Sequence, residues 1–371
     1  MTKQVLPALL CTVGMALSAR AQRIVTFDVP GAGTGAGQGT FSEGMTPDGI
    51  IVGQLLDGNG AYHGFLRYPD GGILTFDAPD AGTGAGEGTL PWNINPAGAI
   101  TGYYTDATGS SHGFVRSPAG VVTSFDAPGA GKPAGVPCTP PIICSNGTQG
   151  AAINPAGTIS GQYVDTTGVF HGFVRSHDGD LTTFDAPGAG TSAGQGTVVV
   201  FGDGINSSGA IIAGYFDGSG VLHATVRSPK GAFTSFDPAG SQFTDPAGIN
   251  NAGQTQGFYA KATGPYHGFV RSSSGQITSF DVSGAGTQAG QGTEPLNLNL
   301  RGDVVGTYVD QNGLYHGFLR YADGTITKFD VSGAGSQSGQ GTIPDSNNPS
   351  NLITGFYIDA NGAYHGFLLT P

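Results

Sequence analysis

The strongest constraint on the fold of this 371-residue chain is a repeat built around histidine. Seven marker histidines are separated by 49, 59, 52, 44, 49 and 49 residues: His63, His112, His171, His223, His267, His316 and His365. An aspartate follows each of the first six by 14 residues, at Asp77, Asp126, Asp185, Asp237, Asp281 and Asp330. Each of these aspartates follows a phenylalanine. A seventh Phe-Asp pair of this kind, in "TFD", ends at Asp28 with no such histidine before it, and His365 has no aspartate after it. The period predicts a repeat architecture, and the two unmatched residues predict one unit assembled from both chain ends.

Each unit contains three short turn signals separated by alternating or β-branched runs. The first is Asn-x-x-Gly, as in Asn95 to Gly98, and Asn351 replaces the glycine in the last copy because asparagine tolerates positive φ. The second is Asp-x-x-Gly, and the third ends in a glycine eight residues after the histidine. Runs such as "GAITGYY", "HGFVR" and "VVTSF" between the turns are typical of strands in hairpins.

Four antiparallel strands in about 49 residues match the length of one propeller blade. Seven histidines therefore predict an all-β, seven-bladed β-propeller, closed by the N-terminal strand joining the C-terminal blade. No linker interrupts the units, so we predict a single domain over residues 22–371.

The first 21 residues have the pattern of a signal peptide. Lys3 precedes an apolar run from Val5 to Ala16, and Ala19-Arg20-Ala21 is a small-x-small cleavage site. The run is too short to span a bilayer comfortably, although an uncleaved anchor is the alternative. We expect cleavage after Ala21 and a protein that is secreted, periplasmic or held at the cell surface.

Two cysteines of the mature chain, Cys138 and Cys144, stand in "VPCTPPIIC". Outside the cytoplasm such a pair is most simply a disulfide that closes a small loop. A metal site needs more ligands than this stretch offers.

The charge excludes two classes of partner. Removal of Lys3 and Arg20 leaves 12 basic against 26 acidic residues, a net charge of −14 compared with −12 for the whole chain. This argues against nucleic acid, which requires a basic face, and against an anionic membrane surface. We expect a monomer with no membrane insertion after signal cleavage.

The motifs "HGF", "INxxG" and "TFD" at this spacing resemble the HAF-type extracellular repeat proteins of bacteria. The segment "GINNAGQTQGFYAKATGPYHGFVR" is a good match, and the resemblance covers essentially all of the mature chain. It implies a secreted protein and carries no catalytic assignment.

The spacing of 14 residues lets each histidine meet its aspartate across a hairpin. Such a pair could orient a general base, but catalysis needs one site, and this pair is copied in every unit. Buried structural His–Asp bonds account better for the repetition, including a bond between His365 and Asp28 across the chain ends.

The Asp-x-x-Gly turns present six carboxylates on one rim: Asp57, Asp106, Asp165, Asp217, Asp310 and Asp359. The favoured interpretation is that each aspartate caps its own turn, and a calcium-dependent surface is the alternative. "GAGTGAG" resembles a dinucleotide fingerprint but opens no helix, so nucleotide binding is rejected, and no cofactor is expected.

A ligand site is expected where the units differ. Three residues after the threonine that begins each first strand, one side chain enters the predicted central channel: Glu43, Trp92, Ala151, Val200, Ala247, Leu296 and Asp345. Trp92, Glu43 and Asp345 would share one channel mouth, where Trp92 could stack on a sugar or simply plug the channel. Glu43 and Asp345 could also form an acid/base pair for glycoside cleavage.

These observations predict a secreted binding or scaffolding module for a glycan, a small polar molecule or a surface protein. The alternatives are a polysaccharide hydrolase or lyase acting at the channel mouth, and a structural envelope or matrix protein.

Overall fold

The computed structural model describes residues 22–131 and 146–371. These residues form 28 β-strands and no helix, so the all-β prediction is confirmed. The described chain accordingly offers no long apolar helix for crossing a membrane. The predicted signal peptide and the predicted Cys138–Cys144 disulfide lie outside the described residues.

The strands follow one another as seven units of four, the first strand of the chain belonging to the last unit. That first strand is β1 (Arg23–Phe27). Unit one contains β2 (Gly39–Met45), β3 (Ile51–Leu56), β4 (Tyr62–Arg67) and β5 (Ile73–Phe76). Unit two contains β6 (Gly88–Ile94), β7 (Ile100–Thr105), β8 (Ser111–Arg116) and β9 (Val122–Phe125). Unit three contains β10 (Gly147–Ile153), β11 (Ile159–Val164), β12 (Phe170–Arg175) and β13 (Leu181–Phe184).

The remaining units repeat the pattern. Unit four contains β14 (Gly196–Val199), β15 (Ile211–Phe216), β16 (Leu222–Arg227) and β17 (Phe233–Phe236). Unit five contains β18 (Phe243–Ile249), β19 (Thr255–Ala260), β20 (Tyr266–Arg271) and β21 (Ile277–Phe280). Unit six contains β22 (Gly292–Leu298), β23 (Val304–Val309), β24 (Tyr315–Arg320) and β25 (Ile326–Phe329). Unit seven contains β26 (Gly341–Asn347), β27 (Ile353–Ile358) and β28 (Tyr364–Thr370), and β1 is its fourth strand.

Within each unit, successive strands pair antiparallel through tight turns. In unit seven, β1 takes the place of the outer strand and pairs with β28 from Arg23↔Thr370 to Phe27↔Gly366. The two ends of the described chain therefore share one four-stranded unit.

Neighbouring units touch where the third strand of one meets the first strand of the next. At five of the seven boundaries this contact is a one-residue parallel pairing, such as Tyr62 with Gly88. Gly88 has φ of +115°, and a Cβ there would collide with the carbonyl oxygen of Tyr62, so the position requires glycine. The β8–β10 and β16–β18 boundaries lack this pairing, and the ladder is therefore divided into sheets of 20 and 8 strands.

A buried threonine fastens the start of each first strand to the preceding unit. In six units its Oγ1 accepts a hydrogen bond from the backbone N–H that follows the repeated aspartate, as Thr89 does from Ala78 at 2.9 Å. Pro238 has no N–H to donate, and Thr244 bonds to Ser241 instead.

Aromatic side chains fill the space between units. The phenylalanine of each "HGF" is fully buried and meets the phenylalanine of the preceding "TFD" or "SFD" edge-on, as Phe114 meets Phe76 at a centroid distance of 6.4 Å. In six units an arginine covers the same ring, as Arg116 does over Phe76 at 4.8 Å. In unit four, Thr225 replaces the phenylalanine, and Phe233 packs against Phe184 at 5.9 Å. Each unit therefore depends on its neighbour for its core.

Candidate functional site

The asparagine turns form a continuous chain of side-chain hydrogen bonds around one end of the molecule. Each turn asparagine donates its amide to a backbone carbonyl of the next turn at 3.0–3.3 Å, from Asn95 through Asn154, Asn206, Asn250, Asn299 and Asn348. The last of these bonds reaches the carbonyl of Pro47 in unit one. Thr46 stands where the seventh asparagine would be and has no amide to donate, so six of the seven positions donate.

A β-bulge in the first strand directs one side chain per unit toward the space inside these turns. The register shifts in six of the seven first strands, and the unpaired residue is in each case the one predicted to enter the channel, for example Glu43 between Ser42 and Gly44. A bulge leaves one residue outside the ladder and re-aims its side chain. The alternation of side chains between the two faces of the strand is therefore interrupted at this position.

Some of the bulged residues line a cavity of about 210 Å³ at the asparagine turns. Of the seven predicted channel residues, Glu43, Trp92, Leu296 and Asp345 line it. Val200 and Ala247 line an adjoining cavity, and Ala151 is fully buried and lines neither. Phe201 and Asp203, from the irregular segment after β14, also line the first cavity.

Trp92 is partly buried in the cavity wall and packs against Phe201 at a ring-centroid distance of 4.8 Å. Its indole Nε1 is enclosed and has no hydrogen-bond partner. The side chain thus presents apolar ring surface to the cavity. Phe201 carried no repeat signal. The spacing from His171 to His223 is 52 residues, three more than the common 49, and Phe201 lies in this longer unit outside the motif.

Glu43 and Asp345 are in direct hydrogen-bond contact. Burial raises the pKa of Glu43 to about 7, against the opposing effect of its bonds to Asp345 and Gln54, whose Nε2 donates at 2.6 Å. Burial, followed by the charge of Glu43, raises the pKa of Asp345 well above its usual value. Burial and the mutual repulsion of the two carboxyls therefore disfavour the doubly ionised pair.

This contact corrects the acid/base interpretation of Glu43 and Asp345. Retaining glycosidases hold their carboxyl groups about 5–5.5 Å apart and inverting ones about 6.5–9.5 Å apart, which leaves room for the sugar or a water. Two carboxyls bonded to each other leave no such room. The pair does not fit glycoside cleavage.

Asp203 adds a third acidic group to the cavity. Burial raises its pKa to about 6, although Asn297 Nδ2 donates to Asp203 Oδ2 at 2.6 Å and opposes that shift. The cavity is therefore lined by carboxamide groups and by carboxyl groups whose pKa values are raised toward neutral pH.

The seven predicted His–Asp pairs lie away from this cavity, on the third and fourth strands of each unit. Nδ1 of each histidine is 2.7–3.0 Å from a carboxylate oxygen, joining His63–Asp77, His112–Asp126, His171–Asp185, His223–Asp237, His267–Asp281, His316–Asp330 and His365–Asp28. The expectation that these pairs are buried is wrong, because the aspartate side chains are 34–60% exposed.

Most of these histidines also contact a tyrosine, and this contact was not predicted from the sequence. In six units the residue eight positions before the histidine is tyrosine, and its ring lies over the imidazole, as Tyr308 does over His316 at 4.8 Å. Leu55 takes this place in unit one. The constant spacing of eight residues was the signal that could have identified the contact.

The six turn aspartates cap their own turns. Oδ1 of Asp106 accepts backbone N–H groups from Thr108 and Ser110, and the other five repeat this pattern. Partial burial opposes the effect, but these bonds lower the pKa of Asp106 to about 2. Within residues 22–131 and 146–371, no three His, Cys, Asp or Glu side chains are grouped to hold a metal ion.

No protein-family model and no curated protein matches this chain. Among solved structures, the BP39L lectin from Burkholderia pseudomallei is similar with a TM-score of 0.50 at 13% identity, covering 89% of this chain and 98% of the lectin. TolB from Acinetobacter baumannii is similar with a TM-score of 0.45 at 13% identity, covering 86% of this chain and 63% of TolB. This chain thus spans less than two thirds of that TolB. At these identities the likeness concerns the fold, which is all-β and β-propeller-like.

Proposed function

We propose that the protein is a secreted seven-bladed β-propeller that binds a glycan at the cavity inside the asparagine turns. Seven four-stranded units, the β1–β28 pairing and the Asn348–Pro47 hydrogen bond support the blade count and the closure. The fold likeness to a protein titled a lectin is in keeping with a binding module.

The position of Trp92 carries the proposal of a glycan ligand. Its ring surface lines a cavity that also contains the carboxyl groups of Glu43, Asp345 and Asp203. The C–H face of a sugar stacks on an indole, while sugar hydroxyls donate to carboxylates. Trp92 is the only tryptophan in the protein, and it lies in the same cavity as these acidic groups.

The size of the cavity restricts the ligand. About 210 Å³ is below the range of roughly 300–1,000 Å³ that is usual for ligand pockets. A terminal sugar residue is therefore the expected occupant, with the remainder of the glycan outside the mouth. The asparagine amides are already engaged in the ring of turns, so specificity falls to Trp92 and the acidic groups.

A glycan array with the full mature chain tests this proposal. Trp92→Ala is expected to weaken binding at least about tenfold, whereas Trp92→Phe, which retains an aromatic ring against Phe201, is expected to keep part of it. Tyr68→Ala removes an aromatic side chain that is 37% exposed outside the cavity and is the matched control.

Glycan binding that is the same in wild type, Trp92→Ala and Tyr68→Ala would contradict the site. A complete absence of glycan binding by the wild type would leave the scaffolding and structural-matrix interpretations in its place. The secretion part is tested separately, since N-terminal sequencing of exported protein is expected to begin at Gln22.

A further inference from the structure

A second cavity, of about 410 Å³, lies along the boundary between units four and five. Its walls are mostly apolar and include Phe170, Val198, Leu222, Phe243 and Phe258. It shares Phe201, Leu296 and Asp345 with the cavity at the asparagine turns, so the two are adjoining parts of one interior. This second cavity was not predicted from the sequence.

The cavity exists because unit four is built differently from the others. Its first strand β14 has four residues, whereas the six other first strands have seven. Gly214 stands where the corresponding position of the other units holds a larger side chain, such as Gln162 or Tyr103. The ladder between β16 and β18 is also absent. Together these differences open the space that side chains fill elsewhere.

Asp245 places a carboxylate in this apolar wall without a partner. Among the described residues, none donates a hydrogen bond to its side chain or forms an ion pair with it. Burial alone raises the pKa of Asp245 to about 7, and no basic residue contributes. An unpaired carboxylate among apolar groups is costly, and a cation that entered the cavity would remove that cost.

Aromatic rings stand next to this carboxylate. Phe258 is the direct cross-strand partner of Asp245, and its ring lies 6.0 Å from Phe243 and 5.0 Å from Tyr266. Rings of this kind attract organic cations through their electron-rich faces. Glu294 of the next unit lies near this carboxylate: burial, and then the charge of Asp245, raises the pKa of Glu294 to about 7, so Glu294 adds negative potential only above that pH.

We propose that the cavity between units four and five binds an organic ammonium ion, with Asp245 as its counter-ion and Phe243 and Phe258 as its aromatic walls. A metal ion does not suit this site, because the carboxyl groups of Asp245 and Asp345 among phenyl rings offer too few oxygen ligands. A neutral apolar ligand would leave Asp245 unpaired. The proposal does not rest on the glycan site, because Asp245, Phe243 and Phe258 line only this second cavity.

Calorimetric titration of the full mature chain at pH 8 tests the proposal with three probes that carry a six-carbon alkyl chain. These are hexyltrimethylammonium, 1-hexanol and hexyl sulfate, which carry the same chain with a positive, a neutral and a negative group. The wild type is expected to bind hexyltrimethylammonium at least tenfold more tightly than either of the others.

Two variants, Asp245→Asn and Phe258→Leu, locate the site, and Asp180→Asn is their control. Asp245→Asn keeps the shape of the side chain and is expected to remove most of the preference for the cation, whereas Asp180→Asn, at an exposed turn, makes the same charge change and is expected to have no effect. Phe258→Leu keeps an apolar wall and is expected to weaken cation binding several-fold without strengthening hexanol binding. A melting curve for each variant checks that it is folded.

The proposal is overturned by equal binding of the three probes, by no binding of hexyltrimethylammonium at millimolar concentration, or by a cation preference unchanged in a folded Asp245→Asn variant. Because none of these results involves Trp92, each is distinguishable from a failure of the glycan proposal.

Discussion

Nδ1 of His365 lies 2.8 Å from Oδ1 of Asp28, although 337 residues separate them in the sequence. The same bond elsewhere joins residues 14 apart on one hairpin, as in His112 and Asp126. The chain therefore builds its last unit from both ends and uses the same contacts as in the other six.

The His365–Asp28 contact is expected to stabilise the protein as much as its counterparts within single hairpins. A double-mutant cycle of His365→Ala and Asp28→Asn should give a coupling of about 0.5–1 kcal/mol, small because Asp28 is 60% exposed. The cycle of His112→Ala and Asp126→Asn is the matched control. A coupling of zero at His365–Asp28 alongside a measurable one in the control would contradict the equivalence.

Packing between units is expected to contribute far more than these polar pairs. Phe114 is fully buried, and Phe114→Ala should lower the free energy of unfolding by about 3–5 kcal/mol in denaturant titrations. Val121, which is 64% exposed in the same unit, provides the control. Val121→Ala should change the free energy of unfolding by less than about 0.5 kcal/mol. Similar losses in the two variants would show that Phe114 is not a core residue.

The boundary glycines provide a separate test of the unit-to-unit contact. Gly88→Ala should cost about 3 kcal/mol or more in the free energy of unfolding, because its Cβ would collide with the backbone of Tyr62. Gly86 also has positive φ, +80°, but a Cβ there meets nothing within 4 Å, so Gly86→Ala should cost only about 1 kcal/mol. Equal costs at the two positions would argue against the close approach of β4 to β6.

The paired carboxyls of the first cavity predict that stability falls as pH rises. The folded pKa of Glu43 is about 7 and exceeds its ordinary value of 4.5, so the native state binds more protons than the unfolded state between these values. The free energy of unfolding should therefore decrease from about pH 4.5 to pH 7. Glu43→Gln should reduce that decrease by an amount on the order of 2 kcal/mol, as measured by denaturant titrations at several pH values.

Other groups also bear on that pH window. Burial raises the pKa values of Asp203, Asp245 and Glu294, so these groups act in the same direction as Glu43. The turn aspartates with lowered pKa values, such as Asp106, affect stability only under more acidic conditions. The pKa of His223 is raised, since the hydrogen bond and charge of Asp237 outweigh the effect of burial, and it therefore acts in the same direction as Glu43. A pH profile with the same slope in wild type and Glu43→Gln would refute the role of the paired carboxyls.

Much of the architecture could be predicted from the sequence because each unit repeats its local signals. The turns and strands follow from positions of Asn, Asp and Gly, and Asn351 does adopt φ of +56°, the one positive value at a non-glycine residue in the part of the chain that the structure describes. The spacing of 14 residues likewise indicated which histidine would face which aspartate.

The candidate sites were harder to predict from the sequence, because they depend on differences between units and on contacts between residues that are remote in the chain. Glu43 and Asp345 are 302 positions apart, and no repeat signal indicates that their carboxyls touch. The second cavity results from the short β14 and from Gly214. In the sequence these features are only departures from the repeat motif, and they do not indicate a cavity. The solvent exposure of the His–Asp pairs was not predicted, because the spacing indicates which histidine meets which aspartate but not how much of each side chain is exposed.

The pairing of β1 with β28 is the central claim, and an engineered crosslink measures it most directly. Arg23 and Thr370 are register partners in this pair. The mature variant Arg23→Cys/Thr370→Cys should form an intramolecular disulfide under mild oxidation, identified by mass spectrometry of a non-reduced digest. Arg23→Cys/Ser228→Cys, which places the second cysteine in unit four, should not form one. Absence of the 23–370 link in folded protein, or its formation only between molecules, would contradict the account.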